Sequence, residues 1–255
     1  MKRHPVPMQS KATRWLLAAV VLTTAAAAIY WLMSRGNPGP ADIGAVRLET
    51  TPPLLTRLEQ KGLALGSPVF IRIFKQPKEL EVWIAKASGD KPARYALFQT
   101  YPICAYSGEL GPKLKEGDRQ SPEGFYSVDS SALNPNSSYH LSFNLGFPNA
   151  YDRSHGRTGS FLMVHGRCVS VGCYAMTDRG IDEIYLLVEA ALLNGGPAIP
   201  VHIFPFRMTA ANMEAHKASP WHAFWTELKT AHDAFEATSV PPRIEVKSAR
   251  YIVAP

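Results

Sequence analysis

His165-Gly-Arg-Cys-Val-Ser-Val-Gly-Cys173 decides how this chain reads. The apolar run Phe161-Leu-Met-Val164 comes just before it and predicts a buried strand. An imidazole therefore stands at a strand end, and a thiol follows after a glycine-containing loop. A free thiol has a pKa of about 8.5, so only a small fraction is thiolate at neutral pH. A neighbouring imidazole can take that proton and hold the resulting ion pair. If the chain loops back after Gly166, Cys173 and His165 reach one cleft as nucleophile and base. Gly172 lets the backbone approach a substrate carbonyl. The N–H groups around Val171, Gly172 and Cys173 are then expected to stabilise an oxyanion. Ser170 is expected to hydrogen-bond the histidine or orient the loop. Gly166, Arg167 and Tyr174 flank the pair and are expected to contact substrate. The chemistry this favours is acyl transfer through a thioester.

Upstream, Leu54 to Leu63 has helix-like apolar spacing that ends at Gly62 or Gly66, and Pro68-Val-Phe-Ile-Arg-Ile-Phe74 alternates, with Val69, Ile71 and Ile73 on one face and Phe70, Arg72 and Phe74 on the other. Glu79 to Ile84, Tyr95 to Cys104, Phe125 to Val128 and Leu141 to Leu145 read as further strands, separated by turns such as Ser121-Pro-Glu-Gly124. Their spacing predicts a sheet of hairpins, not a βαβ array. Downstream, Thr177 or Asp178 caps a helix that carries Ile181, Ile184, Tyr185, Val188 and Leu192, and Gly195-Gly196 stops it. Pro200 to Phe204 is a late strand. Ser219 reads as an N-cap with Pro220 at the first helical position. The apolar stripe Trp221, Phe224, Trp225, Leu228 and Phe235 predicts a helix packed on the main domain.

Composition fits one globular domain with extensions. Of 255 residues, 46% are hydrophobic and 19% charged, and 21 prolines with 18 glycines favour short strands and turns over a helical bundle. The net charge is +6, but Lys2, Arg3, Lys11 and Arg14 precede an uncharged apolar stretch from Trp15 to Met33. No basic stripe with interleaved aromatics remains, so nucleic acid is not an expected partner. As a helix that stretch spans roughly 28 Å, close to the hydrocarbon thickness of about 30 Å. The basic flank predicts a cytoplasmic N-terminus and an exported remainder. A signal anchor is the first reading, and a cleaved signal peptide, with Ala25 to Ala28 as small residues, is the second. The expected organisation is a basic tail over 1–14, a transmembrane anchor over 15–33, a linker over 34–53, a catalytic domain over 54–207, and a helical C-terminal extension over 208–255.

Export places Cys104, Cys168 and Cys173 in an oxidising compartment. Three single pairings are open, and only Cys104–Cys168 leaves Cys173 free. Full reduction, with Cys104 and Cys168 as small buried hydrophobes, is an equal alternative. Two readings from another class compete with catalysis. One is a zinc site built from His165, Cys168, Cys173 and Cys104. The other is a non-catalytic wall-binding module with a Cys168–Cys173 disulfide. His140, His155 and His202 read as structural histidines. His216, His222 and His232 read as surface residues.

His165-Gly166 followed by Ser170-x-Gly172-Cys173 resembles the signature of the YkuD-type L,D-transpeptidases: His-Gly, a gap, then Ser-His-Gly-Cys. Gly117 to Tyr126 resembles that family's Thr-Pro-x-Gly-x-Tyr turn. The run Cys168 to Met176 and the tail Phe204-Pro-Phe-Arg-Met208 are most similar to its YafK-like branch. The resemblance runs from about Leu54 to the C-terminus. It implies a β-rich α+β catalytic domain, mixed sheets with flanking helices, working in the periplasm on peptidoglycan stem peptides. It implies Cys173 as nucleophile and His165 as proton carrier; no cofactor or metal is expected. The acceptor is an amine in a transpeptidase. Water in its place gives an amidase or endopeptidase that removes cross-links or a peptidoglycan-attached lipoprotein. Two departures change the expected substrate grip. The histidine of Ser-His-Gly-Cys is Val171 here, and the arginine that often follows the cysteine by two positions is Ala175. Arg157, Arg167 and Arg179 are the candidate replacements.

Overall fold

The computed structural model describes residues 39–87 and 92–254. The apolar stretch read as an anchor, Trp15 to Met33, lies outside the described residues. Among the described residues no helix is long and apolar enough to cross a membrane.

Helix α1 (Ile43–Gln60) opens the described chain. Asp42 caps it, its carboxylate accepting from the N–H groups of Gly44 and Ala45 at 2.9 and 3.2 Å. The helix runs through Pro52 and Pro53, so the stretch expected to be linker up to residue 53 is helical from Ile43 onward. Proline disfavours a helix interior by about 3 kcal/mol. Here both prolines are exposed, so water reaches the carbonyls they leave unpaired. Leu54 and Leu58 are buried, and Arg47–Glu189 and Arg57–Glu183 ion pairs, each 2.7 Å, tie the helix to the segment 183–189.

Strands β1 (Val69–Phe74), β2 (Glu79–Ala85) and β3 (Tyr95–Pro102) form an antiparallel meander. Strands β4 (Gly124–Val128) and β9 (Ile199–Phe204) complete a five-stranded sheet in the order β3-β2-β1-β9-β4. The hairpin expectation holds for the meander but not throughout, because β1 and β9 are parallel. A second sheet, of order β5-β6-β7-β8, consists of β5 (Leu133–Asn134), β6 (Ser142–Asn144), β7 (Met163–His165) and β8 (Tyr174–Ala175). Its last pair is also parallel. Short helix α2 (Ala150–Ser154) lies between β6 and β7. Helix α3 (Asp178–Leu193), capped by Thr177, follows β8.

The main core lies between the two sheets, where Ile71 and Ile73 of β1, Phe143 and Val164 of the small sheet, Ile184 and Val188 of α3, and Leu54 of α1 form one buried cluster. The other face of the large sheet is covered by α5 (His222–Thr238), which follows α4 (Ala210–Ala215). The Phe235 ring sits 4.8 Å from Phe70 and 4.9 Å from Trp83. The Arg72 guanidinium lies over Phe235 and pairs with Glu81 at 2.8 Å. This explains why β1 is buried on both faces.

Two details of the C-terminal part correct the expectation. Helix α5 starts at His222; the Ser219 hydroxyl accepts the Trp221 N–H and its carbonyl the His222 N–H, so Pro220 sits in a turn ahead of the helix. The chain then finishes as a hairpin, β10 (Ile244–Lys247) with β11 (Arg250–Val253), and not as helix. Tyr251 of that hairpin stacks on Tyr151 at 4.1 Å. His232 is half-buried, edge-on to Phe204 at 5.4 Å, and is not a surface residue.

Candidate active site

The small sheet explains how the motif folds. β7 and β8 run parallel, with Val164 opposite Tyr174 and His165 opposite Ala175. Side chains alternate across a sheet, so Val164 and Tyr174 point to one face while Cys173 and His165 point to the other. The inward face carries Leu133, Phe143, Val164 and Tyr174. The outward face carries Asn134, Ser142, Met163, His165 and Cys173, which line a cavity of about 270 Å³. The loop from 166 to 173 therefore returns the thiol to the strand that bears the histidine.

That alternation corrects one expected contact. Tyr174 is fully buried, and its hydroxyl donates to the Pro122 carbonyl at 2.7 Å, so it anchors the strand and does not meet substrate. Gly166 also serves the backbone. Its N–H donates to the Tyr139 carbonyl at 3.0 Å, and a Cβ there would stand 2.7 Å from Asp178 and 2.9 Å from His140. Arg167 turns toward Asp178, which accepts its N–H at 2.8 Å and lies 3.9 Å from its guanidinium. Arg157 pairs with buried Asp152 at 2.8 Å, and Arg179 lines a different cavity with Glu183. None of the three arginines lines the Cys173 cavity.

His165 has a defined tautomer. Its Nδ1 is 2.6 Å from the Gly166 carbonyl oxygen. A carbonyl only accepts, so Nδ1 carries the proton, and Nε2 of the neutral ring is an acceptor. The Tyr139 ring lies against the imidazole at 4.8 Å. Burial pushes the His165 pKa down, and the Gly166 carbonyl only partly opposes it. Burial pushes the Cys173 thiol up, against the Met163 N–H, 3.4 Å from Sγ, and the charge of Lys113. These directions oppose a preformed thiolate–imidazolium pair. Both shifts favour the neutral forms of the thiol and the imidazole.

The loop around Cys173 is held by hydroxyls. Ser170 donates to the Cys173 carbonyl at 2.7 Å, so it orients the loop and does not bond the histidine. Ser121 donates to the same carbonyl at 3.0 Å. Ser107 accepts the Gly172 N–H at 2.6 Å, which removes that group from the expected oxyanion donors. Gly172 itself has φ of 104°, a conformation that glycine adopts without strain. Ser107 and Ser121 were absent from the expected site. The only sequence signal for Ser121 was its place in the Ser-Pro-Glu-Gly turn.

A buried ion pair sits beneath that turn. Lys75 Nζ donates to the carbonyls of Glu109, Gly111 and Ser121 at 2.9–3.0 Å and to Glu123 at 3.0 Å. Glu123 also accepts from the Gly111 N–H at 2.7 Å and from the Trp225 indole of α5 at 2.8 Å. Burial pushes Lys75 down and Glu123 pulls it up. Nearer the thiol, Lys113 bonds Asp118 at 2.5 Å. Burial works to raise that carboxyl, but Lys113 and three backbone N–H groups bring it down to about 2.

Cys104 and Cys168 form a disulfide with a Cα–Cα distance of 4.9 Å, and Cys173 is free. The bridge withdraws two of the four groups that the zinc reading needed. It also leaves Cys168 unavailable to Cys173, against the alternative bridge. It ties the active loop to the segment after β3, where Ala105 and Ala175 exchange backbone hydrogen bonds. Arg167 and Cys168 both adopt positive φ, 70° and 51°, so the loop turns through a region that non-glycine residues seldom occupy.

An α+β core with one thiol and one imidazole on the outer face of a small sheet defines a candidate thiol acyltransferase. Comparison with known proteins gives the family. The chain is 51% identical over 195 residues to the Escherichia coli K12 protein named "Putative L,D-transpeptidase YafK", covering 76% of this chain and 77% of that one. The counterpart in Escherichia coli O157:H7 matches equally. The chain belongs to the L,D-transpeptidase family, in its YafK-like branch. No protein-family model matches it. Among solved structures, the helical cell shape determining protein Pgp2 of Campylobacter jejuni (K307A mutant) is similar at 19% identity and a TM-score of 0.44, over 71% of this chain and 62% of that one.

Proposed function

We propose that Cys173 is an acyl-accepting nucleophile and His165 its proton carrier, acting on peptidoglycan stem peptides. One observation carries the reading: both side chains line one cavity, and His165 Nδ1–H is occupied by the Gly166 carbonyl, which leaves Nε2 as acceptor. Sγ attacks a peptide carbonyl carbon while Nε2 takes the thiol proton. The C–N bond breaks, and His165 returns that proton to the leaving amine. A thioester remains on Cys173. An incoming amine then attacks the thioester, His165 takes its proton, and the thiol is regenerated. Water in place of the amine makes the same residues hydrolytic, against cross-links or an attached lipoprotein. With the Gly172 N–H occupied, the N–H groups of Val171 and Cys173 are the proposed oxyanion donors. The Cys104–Cys168 disulfide supports a site outside the cytoplasm, with the N-terminal apolar stretch as export signal or inner-membrane anchor.

The test is incubation of the purified full chain with sacculi, bare or lipoprotein-bearing, followed by muropeptide analysis. New cross-links identify transfer, and released peptide ends identify hydrolysis. Cys173→Ala is expected to abolish either product while the far-UV and thermal profiles stay native. Turnover retained by folded Cys173→Ala protein overturns the reading.

A further inference from the structure

The carbonyl that holds His165 belongs to a peptide unit with a partner of its own. The Gly166 carbonyl oxygen, 2.6 Å from His165 Nδ1, shares one planar peptide with the Arg167 N–H. That N–H donates to Asp178 Oδ1 at 2.8 Å. The N–H and C=O of a trans peptide point in opposite directions, so this unit stands between a carboxylate and an imidazole. The other backbone partners of the turn are neutral. The Gly166 N–H goes to the carbonyls of Tyr139 and Leu141 at 3.0 and 3.3 Å. The His165 carbonyl accepts the Met176 N–H at 2.7 Å, and the Cys168 N–H goes to the Met176 carbonyl at 3.3 Å. Asp178 alone among these brings a charge.

The place of that charge is fixed by its surroundings. Asp178 is the first residue of α3, whose N-cap is Thr177. Its Oδ2 lies 3.9 Å from the Arg167 guanidinium and 4.0 Å from His140 Nδ1. His140 is in turn held at 2.6 Å by Asp182, one turn along α3. A Cβ at Gly166 would stand 2.7 Å from Asp178 Oδ1 and push it off the Arg167 N–H. A carboxylate on an amide N–H draws electron density toward the conjugated carbonyl oxygen, which then accepts more strongly from the next donor. The gain is largest when Nε2 has taken a proton, because the ring is then a cation and the bond to Gly166 is charge-assisted.

We infer that Asp178 is a positioning residue for His165, acting through the Gly166–Arg167 peptide to fix the ring and to stabilise its protonated form. The inference deepens the function proposed above and rests on it. Asp178 does not line the Cys173 cavity and carries no proton in the reaction.

Iodoacetamide tests the relay without any peptidoglycan. Cys104 and Cys168 are bridged, so Cys173 is the thiol it alkylates. The reacting species is the thiolate, whose proton goes to His165. In the full-length chain at pH 7, Asp178→Asn is expected to slow alkylation about fivefold, the scale of exchanging a charge-assisted hydrogen bond for a neutral one. Asp178→Ala also removes the acceptor and is expected to slow it about tenfold or more, toward the rate of His165→Ala. An acidic residue in the first turn also serves the helix dipole, so a second readout separates the two roles. In the full-length Cys173→Ala background, the His165 Nδ1–H proton resonance is expected to move upfield from Asp178 to Asn to Ala. A loss of helix stability alone leaves that resonance of the folded protein in place. Either variant alkylated at the parent rate, or a resonance that does not move, overturns the relay. His165→Ala alkylated at the parent rate takes the catalytic reading down with it, so the two failures are told apart.

Discussion

The two sheets are held by different forces. The five-stranded sheet has strands of five to eight residues, and β1 is buried along its whole length. Apolar area on both faces accounts for it, at about 25 cal/mol per Å² removed from water. The four-stranded sheet has strands of two or three residues, and one face is given to a cavity. Strands that short gain little from backbone pairing. They are fastened by hydroxyls on the Cys173 carbonyl, by the Cys104–Cys168 bridge, and by the Lys75–Glu123 pair beneath the adjoining turn. A scaffold made by area is redundant, whereas a site made by single bonds fails one bond at a time.

The largest break expected is at Lys75. Replacing it with methionine leaves Glu123 buried without its cation and takes a donor from three carbonyls, of which those of Glu109 and Gly111 keep Gln120. Removing one partner of a buried pair costs about 3–5 kcal/mol. The denaturant midpoint of Lys75→Met should fall accordingly, whereas a surface control such as Lys217→Met should stay within about 0.5 kcal/mol. A change at Lys75 no larger than the control would show that area, not the ion pair, holds the turn.

The disulfide comes next. It closes a loop with a sequence separation of 64. Chain-entropy arithmetic puts its worth on the order of 4 kcal/mol, with about 2–4 typical in practice. Cys104→Ser with Cys168→Ser should lower stability by that amount and lower muropeptide turnover further, because the bridge holds the loop that carries Cys173. If stability falls while turnover per folded molecule is unchanged, the bridge serves the scaffold alone.

The large sheet has its own weak point, and pH exposes it. His202 on β9 is buried between Phe70 and Phe125, with ring centroids at 4.8 and 4.4 Å. Burial, helped by the Arg72 charge, lowers its pKa from 6.5 to about 3. In the window between those values the unfolded chain binds a proton that the folded one refuses, so stability falls as pH drops below 6.5. The loss at pH 5 is about 2 kcal/mol. His165 and His232 shift in the same direction and add to it. Chemical denaturation from pH 7 to pH 5 measures the slope, and His202→Phe should flatten it. An unchanged slope in that variant would place the acid sensitivity elsewhere.

The same division explains what the sequence made legible. Alternation in Val69 to Phe74 and the helical spacing of Ile181 to Leu192 were readable because burial writes a period into the chain. His165 and Cys173 were readable because their chemistry is rare and their spacing short. Helix α1 was legible only from Leu54 onward; its first part was obscured by Pro52-Pro53, whose local signal was outweighed by Leu54, Leu58 and two ion pairs. Tyr174 was misread as a contact because the two residues of β8 are too few to show alternation. Lys75 and Ser107 left no pattern, and Ser121 only its place in a turn, since each acts through partners far along the chain. The departure at Ala175 has a structural counterpart: that residue is buried in β8, on the His165 face, and paired with Ala105, so a long cation there would have to displace what covers it.

The smallest effect sharpens the comparison most. Ser121 and Ser170 donate to the same Cys173 carbonyl, at 3.0 and 2.7 Å. Either alone still fixes that peptide plane, so each single alanine variant should lose about 1 kcal/mol of stability. Turnover in each should fall less than tenfold. Ser121→Ala should be the worse of the two, because its oxygen also accepts the Ser107 N–H at 3.2 Å. The double variant leaves the carbonyl to water, and the loop then loses the plane that holds Cys173 in the cavity it shares with His165. Its loss of kcat should exceed the product of the single losses, a coupling of 0.5 kcal/mol or more. Simple additivity would mean that the strand pairing of Tyr174 positions the nucleophile by itself, and that the small sheet, despite its length, is held as the large one is.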